Sequence, residues 1–275
     1  MKIKRISESL RRRLGCEAAP ERYVASLERM ARAKNGYRPL PNDPTLAPPP
    51  TYTVSRAEDV LGETFRRACE YVAFERFKGD VYEFGTFRGF TARLIALHMV
   101  VLDFGGTLRL FDSFAGLPEP SGKDLKSYEV NVNRVWRRGN MNVERSEFEC
   151  IQESLSRLLP GDRLQIAKGF FDETLPRLDR ATLRPAILIH LDCDLYESAL
   201  CALRYLLENQ LVADGAVMLC DDYNCNRSQP TMGERLALTD AFREFPRYTY
   251  SPWFSYGWHG YAFFVHDQQC MAAHP

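Results

Sequence analysis

The 275-residue chain contains no apolar run approaching the roughly 18 residues that a membrane span needs, which excludes a spanning helix. It has no net charge: 36 lysines and arginines balance 36 aspartates and glutamates, so the balance points to neither nucleic acid nor an acidic membrane surface. Its eight cysteines form no C-x-x-C pair, and the basic start, "MKIKRISESLRRRLG", lacks the apolar run of a secretory signal. Reduced thiols are therefore expected rather than disulfides or a zinc knuckle, and the expected compartment is the cytoplasm. No internal repeat is present. What the chain does have is 45% hydrophobic residues, enough for one large domain or one domain with an appended segment.

Ile3, Ile6, Leu10 and Leu14 recur at helical spacing and predict a solvated amphipathic helix. A second helical pattern covers 21–36, and the proline-rich passage 37–55 admits neither helix nor interior strand, so it is a linker or lid. Residues 1–55 are accordingly set apart from a main domain, 56–275. From Arg56 to Lys78 the spacing is helical again. Beyond it strand-like runs alternate with helical ones: "DVYEFG" and a helix near 91–102, "TLRLFDS" and one near 144–159, "RLQIAKG", "AILIHLD" and one near 195–209, "AVMLCDD" and one near 232–244. Such alternation predicts a parallel sheet with helices on both faces. Two aromatic-rich runs, "RYTYSPWF" and "GYAFFVH", form a hairpin at its edge.

In "YEFGTFRGF", Glu83, Gly85, Thr86 and Gly89 fall at a strand-to-helix turn, where glycine lets a ligand approach the backbone and the helix offers unpaired N–H groups. The turn lacks the middle glycine of the dinucleotide fingerprint. Asp112, with Ser113, ends the next strand, about where an acid reaches the ribose of a nucleoside-containing cofactor; a loop capping its own backbone is the bland reading.

Two further strands end in carboxylates, "HLDCDLYES" and "LCDDY". Two such groups about 4 Å apart repel by roughly 4 kcal/mol at an effective dielectric near 20, so a cation neutralises them or one takes up a proton. Asp194 opens "DLYE", the form of a capping box, and is preferred as a helix cap over a ligand. Asp192, Asp221 and Asp222 remain as an all-oxygen set suited to Mg²⁺. Cys193 and Cys220 alternate away from them toward packed helices. His190 either lines the site or is a hydrogen-bonded core histidine, and His259 has packing as its default.

Together, "DVYEFGTFRGFTA", "LRLFDSFAGLPEP", "KGFFDETLP", "HLDCDLYES" and "GAVMLCDDY" resemble the ordered motifs of the macrocin O-methyltransferase family over about 53–265. The chain departs in "FGTFRGF", where members carry a tryptophan before the arginine and a second glycine, and in "LDCD" for the usual "DGD". The resemblance implies a Rossmann-like class I methyltransferase fold, a mostly parallel seven-stranded sheet with an antiparallel last strand. It also implies an S-adenosylmethionine- and Mg²⁺-dependent enzyme acting on sugar hydroxyls. Glu83, Gly85, Thr86 and Gly89 would then hold the methionine end, Asp112 and Ser113 the ribose, Gly169 and Phe170 the adenine, and Asp192, Asp221 and Asp222 the metal. Leu195 stands where some catechol-type methyltransferases place a lysine, so the base falls to His190, an aspartate such as Asp192, or metal-bound water.

The expected partner is a small acceptor with vicinal hydroxyls, a sugar or a phenol, bound by the proline-rich passage, the polar excursion 121–139 and the aromatics Trp253, Phe254, Tyr256 and Trp258, unless these aromatics only close the sheet edge. No nucleic acid or membrane is expected, and a homo-oligomer stays open. A nucleotide-binding oxidoreductase and a non-catalytic binding protein are the competing classes. The first leaves the aspartates unexplained, and intact carboxylates oppose the second.

Overall fold

The computed structural model describes residues 21–49 and 54–272. The helix expected at the basic start lies outside them. Helix α1 (Glu21–Asn35) is followed by the irregular proline-rich passage, then α2 (Val54–Phe74), β1 (Asp80–Phe84), α3 (Phe90–Leu102) and β2 (Leu108–Asp112). After a long excursion come α4 (Arg145–Leu158), β3 (Leu164–Lys168), β4 (Ala186–Leu191), α5 (Tyr196–Glu208), β5 (Val212–Cys220) and α6 (Gly233–Glu244). The hairpin β6 (Tyr248–Tyr256) and β7 (Gly260–Asp267) closes the edge.

The sheet has seven strands in the order β3-β2-β1-β4-β5-β7-β6. β1 to β5 are parallel, and β7 runs antiparallel to both β5 and β6. Every residue of β1 and β4 is buried, as a sheet covered on both faces requires. Side chains divide by alternation: Val81, Leu188, Val217 and Leu219 pack under α1 to α4, whereas Tyr82, Ile189, Met218 and Cys220 pack under α5 and α6. Helix α3 is buried from Phe90 to Val101 because α1, α2 and α4 cover what the sheet does not. Among the described residues no helix is long and apolar enough to cross a membrane.

Helix α1, set apart by composition, is built into this core. Val24, Leu27 and Ala31 form its buried stripe, the Tyr23 hydroxyl lies 2.7 Å from His98 Nε2, Lys34 donates to the Val100 carbonyl, and Glu28 pairs with the buried Arg93. The proline-rich passage is pinned by Asp43, whose carboxylate accepts from the Thr45 N–H and hydroxyl and from the Ser154 hydroxyl of α4.

Strand order reverses between β1 and β4, so the carboxyl ends of these strands diverge into a crevice.

Candidate active site

A cavity of about 1100 Å³ opens at that crevice. Gly85, Thr86, Asp112, Ser113 and Phe170 line one part of it, and Asp192, Asp194, Asp221 and Asp222 the other.

Gly85 has φ 86°, and a Cβ there would collide with the Asp192 carbonyl, so only glycine lets the ends of β1 and β4 close together. Asp112 organises the turn. Its Oδ2 accepts from the N–H groups of Thr86 (2.7 Å) and Phe87 (2.8 Å), and its Oδ1 from that of Phe114 (2.6 Å). Burial raises its pKa while these three bonds pull it down. Thr86 Oγ1 and Arg88 Nε are buried without a hydrogen-bond partner at the same turn.

Four residues expected at the site are not among the described residues lining the cavity. Glu83 and His190 are register partners on β1 and β4, fully buried on the α2 side; His190 Nδ1 lies 2.9 Å from Glu83 Oε1, and Phe65 packs edge-on against the imidazole. Strand alternation accounts for both, and His190 is fully buried away from the cavity lining. Gly89 opens α3 at φ 78°, where a Cβ would press on Thr45 and Ile151. Gly169 (φ 143°) donates its N–H to the Asp112 carbonyl and presents Phe170 to the cavity.

The capping assignment of Asp194 is corrected. The carboxylate that accepts from the N–H groups of Tyr196 (2.8 Å) and Glu197 (3.1 Å) is that of Asp124, in the polar excursion. Asp194 has φ 62°, a left-handed conformation that aspartate tolerates better than most side chains, and this turns its carboxylate toward the cavity. Trp136 lines the same cavity.

Burial, and then the neighbouring carboxylates, push the pKa values of Asp192 and Asp194 well above the usual carboxylate range, and that of Asp222 up to about 6. Beneath them Glu234 of α6 is fully buried, its Oε2 accepting the Asp222 N–H at 3.0 Å. Asp221 Oδ1 and Asp222 Oδ2 are buried without hydrogen-bond partners. Hard anionic oxygens of this kind fit a divalent cation such as Mg²⁺ by their chemistry. Among the described residues, however, no group of three His, Cys, Asp or Glu side chains already stands arranged to hold one. Cys193 and Cys220 belong to the core packed by α5 and α6, and burial keeps both thiols protonated.

Three features go beyond the sequence reading, which assigned His259 only a surface or packing role. His259 is buried at the hairpin turn and lines the cavity, its Nδ1 2.6 Å from the Asp221 carbonyl oxygen and 3.5 Å from Asp221 Oδ2. Asn226 ties down the excursion, accepting from the Ser127 hydroxyl (2.6 Å) and the Tyr128 N–H (2.9 Å) and donating its own N–H to Glu129 (3.2 Å). Trp136 packs with Leu195 and Cys225. Of the four hairpin aromatics expected around an acceptor, only Trp258 lines the cavity, while Trp253 packs on Tyr71 and Phe264. The proline-rich passage contributes Ala47 and Pro49.

The family model for macrocin O-methyltransferases matches residues 29–244. Among solved structures, the O-methyltransferase NovP is 22% identical, with 88% of this chain and 98% of that one covered at a TM-score of 0.62. The calicheamicin methyltransferase CalS11 is 17% identical, with 90% and 93% covered at 0.59. The O-methyltransferase TomG from Streptomyces achromogenes, in complex with S-adenosylmethionine, is 15% identical, with 88% and 89% covered at 0.50. These likenesses establish the fold. No curated protein sequence matches the chain.

Proposed function

Because the chain belongs to the macrocin O-methyltransferase family and is an S-adenosylmethionine-dependent O-methyltransferase, we propose that it methylates a hydroxyl of a small natural-product acceptor, a sugar moiety in particular, with the help of a divalent metal. Two buried, unpartnered carboxylate oxygens, Asp221 Oδ1 and Asp222 Oδ2, carry the metal part of this reading, since they lie beside a glycine turn built for the donor.

The donor supplies a sulfonium methyl, and a cavity lined by carboxylates suits its cationic sulfur and ammonium groups. Gly85 and Thr86 would take its methionine end, Asp112 and Ser113 its ribose, and Phe170 one face of the adenine. Asp112 can do this only while also clamping the turn, which makes it a positioning group as well as a ligand.

Asp192, Asp221 and Asp222 would hold Mg²⁺, whose chemistry at this place is to lower the pKa of an acceptor hydroxyl and orient its neighbour. Asp194 is the proton acceptor we assign. It lines the cavity, it is released from capping by Asp124, and burial among the other carboxylates raises its proton affinity. Fixing acceptor oxygen and methyl carbon in line supplies most of the remaining rate, worth roughly 7 to 11 kcal/mol in favourable cases.

Calorimetry with S-adenosylhomocysteine and turnover of a panel of vicinal diols test the proposal. Asp221→Asn should abolish Mg²⁺-stimulated methyl transfer while leaving S-adenosylhomocysteine affinity within about threefold, the signature of an interaction made in the transition state rather than in donor binding. Full activity in the presence of a chelator would remove the metal from the reading and leave the methyltransferase.

A further inference from the structure

Charge is distributed unevenly between the cavity and its mouth. Eleven carboxylates line the cavity against two arginines, and both arginines are engaged: Arg88 with Glu147 at 3.2 Å, Arg204 with Glu244 at 2.7 Å. Among the described residues that line the cavity, carboxylates far outnumber cationic side chains, so an anion beyond the donor's own carboxylate is disfavoured inside.

The mouth is different. From Val130 to Val143 the chain carries three arginines and no carboxylate. Arg134, Arg137 and Arg138 are all exposed, and none of them makes an ion pair among the described residues. Their neighbours Asn133, Val135 and Trp136 line the cavity, so the segment that carries the three exposed arginines borders it. The base of this segment is anchored: Trp136 is 4% exposed among Leu195 and Cys225, and Asn133 donates to Glu129 at 2.7 Å. Val135 (47% exposed) and Trp258 (59% exposed) line the same cavity while facing solvent, which gives the mouth an apolar surface and an aromatic ring beside the positive charge.

We propose that the acceptor carries an anionic group, a phosphate or a carboxylate, on the side remote from the methylated hydroxyl, and that Arg134, Arg137 and Arg138 hold it at the mouth. The inference rests on the methyltransferase reading and adds the acceptor's charge and orientation. The acid interior rejects the anion and the basic rim attracts it, so such a molecule enters hydroxyl first. Its ring or apolar body then lies against Val135 and Trp258. Complementary charge of this kind steers entry and fixes orientation.

The test uses the full chain with S-adenosylhomocysteine and Mg²⁺, and three probes: a nucleoside-diphosphate hexose, an aryl-carboxylate hexoside and a neutral aryl hexoside. At least one anionic probe should bind about tenfold more tightly than the neutral one. The variant R134Q/R137Q/R138Q should lose that advantage while keeping its Tm and its S-adenosylhomocysteine affinity, and added salt should erase the difference. Preference for the diphosphate identifies a nucleotide-linked sugar, and preference for the carboxylate an acidic glycoside. Equal or better binding of the neutral probe, no binding of either anionic probe, or unchanged anionic affinity in the triple variant overturns the inference and leaves the methyltransferase reading standing. A wild-type chain that does not bind S-adenosylhomocysteine overturns both.

Discussion

Asp124 caps the helix that begins at Tyr196, its Oδ1 accepting the Tyr196 N–H at 2.8 Å across 72 residues of sequence. The polar excursion is thereby fastened to the carboxyl edge of the sheet, and Asp194 is free for chemistry.

The two aspartates should therefore separate in experiment. Asp124→Ala should cost about 1 kcal/mol in urea unfolding, the ordinary worth of a cap, and should raise acceptor KM as the excursion loosens. Asp194→Asn keeps a side chain suited to the left-handed backbone and should unfold like the parent, yet lose kcat by about 100-fold or more. An Asp194→Asn enzyme with full kcat would return the base to another group.

The carboxylates make stability depend on both pH and metal. The pKa of Asp222 is raised in the folded chain to about 6, and those of Asp192 and Glu234 move in the same direction through burial among like charges. A raised carboxyl pKa gives stability that is complete below the unfolded value, about 4, and is lost as pH climbs through the folded one. Metal-free protein should thus be weakened by these groups as pH rises from about 4 to about 6 and beyond. Mg²⁺ should restore the loss near neutral pH, seen as a higher Tm that EDTA reverses. A Tm indifferent to divalent cations would contradict the assignment.

His98 acts with the opposite slope. It is fully buried on α3, with Nδ1 2.7 Å from the Leu94 carbonyl oxygen and Nε2 2.7 Å from the Tyr23 hydroxyl, an arrangement that the neutral ring satisfies as donor and acceptor. Burial lowers its pKa from 6.5 to about 4. The unfolded chain takes up this proton first, so stability is intact above the unfolded value and falls by roughly 3 kcal/mol as pH drops to the folded one. His98→Gln keeps both bonds without titrating, and unfolding curves measured across that range should show a shallower acid limb. An unchanged acid limb would mean that His98 is not the group responsible.

Most of the architecture was legible because it rests on local periodicity. The spacing through 56–78 anticipated α2, and apolar strands ending in Gly85, Asp112, Asp192 and Asp221 anticipated the carboxyl edge. Misplaced residues were those whose neighbours come from elsewhere in the chain. Alternation along β4 puts His190 on a definite face, but only the pairing with β1 brings Glu83 beside it. The register Cys220 with Tyr261 carries His259 to Asp221, a signal that exists once the hairpin is paired and not before. "DLYE" has the form of a cap, yet a distant aspartate occupies the position.

Sequence alone determined the strand and helix order, a glycine at the first strand-to-helix turn, and the delivery of acidic side chains to one edge, because periodicity and backbone sterics act within a few residues. Tertiary structure alone decided which carboxylate caps and which lines the cavity, that His190 is buried beside Glu83 and His259 beside Asp221, and that an arginine-bearing segment borders the cavity. Those outcomes depend on hydrogen bonds and packing between segments far apart in the chain, and such contacts leave no local pattern to read.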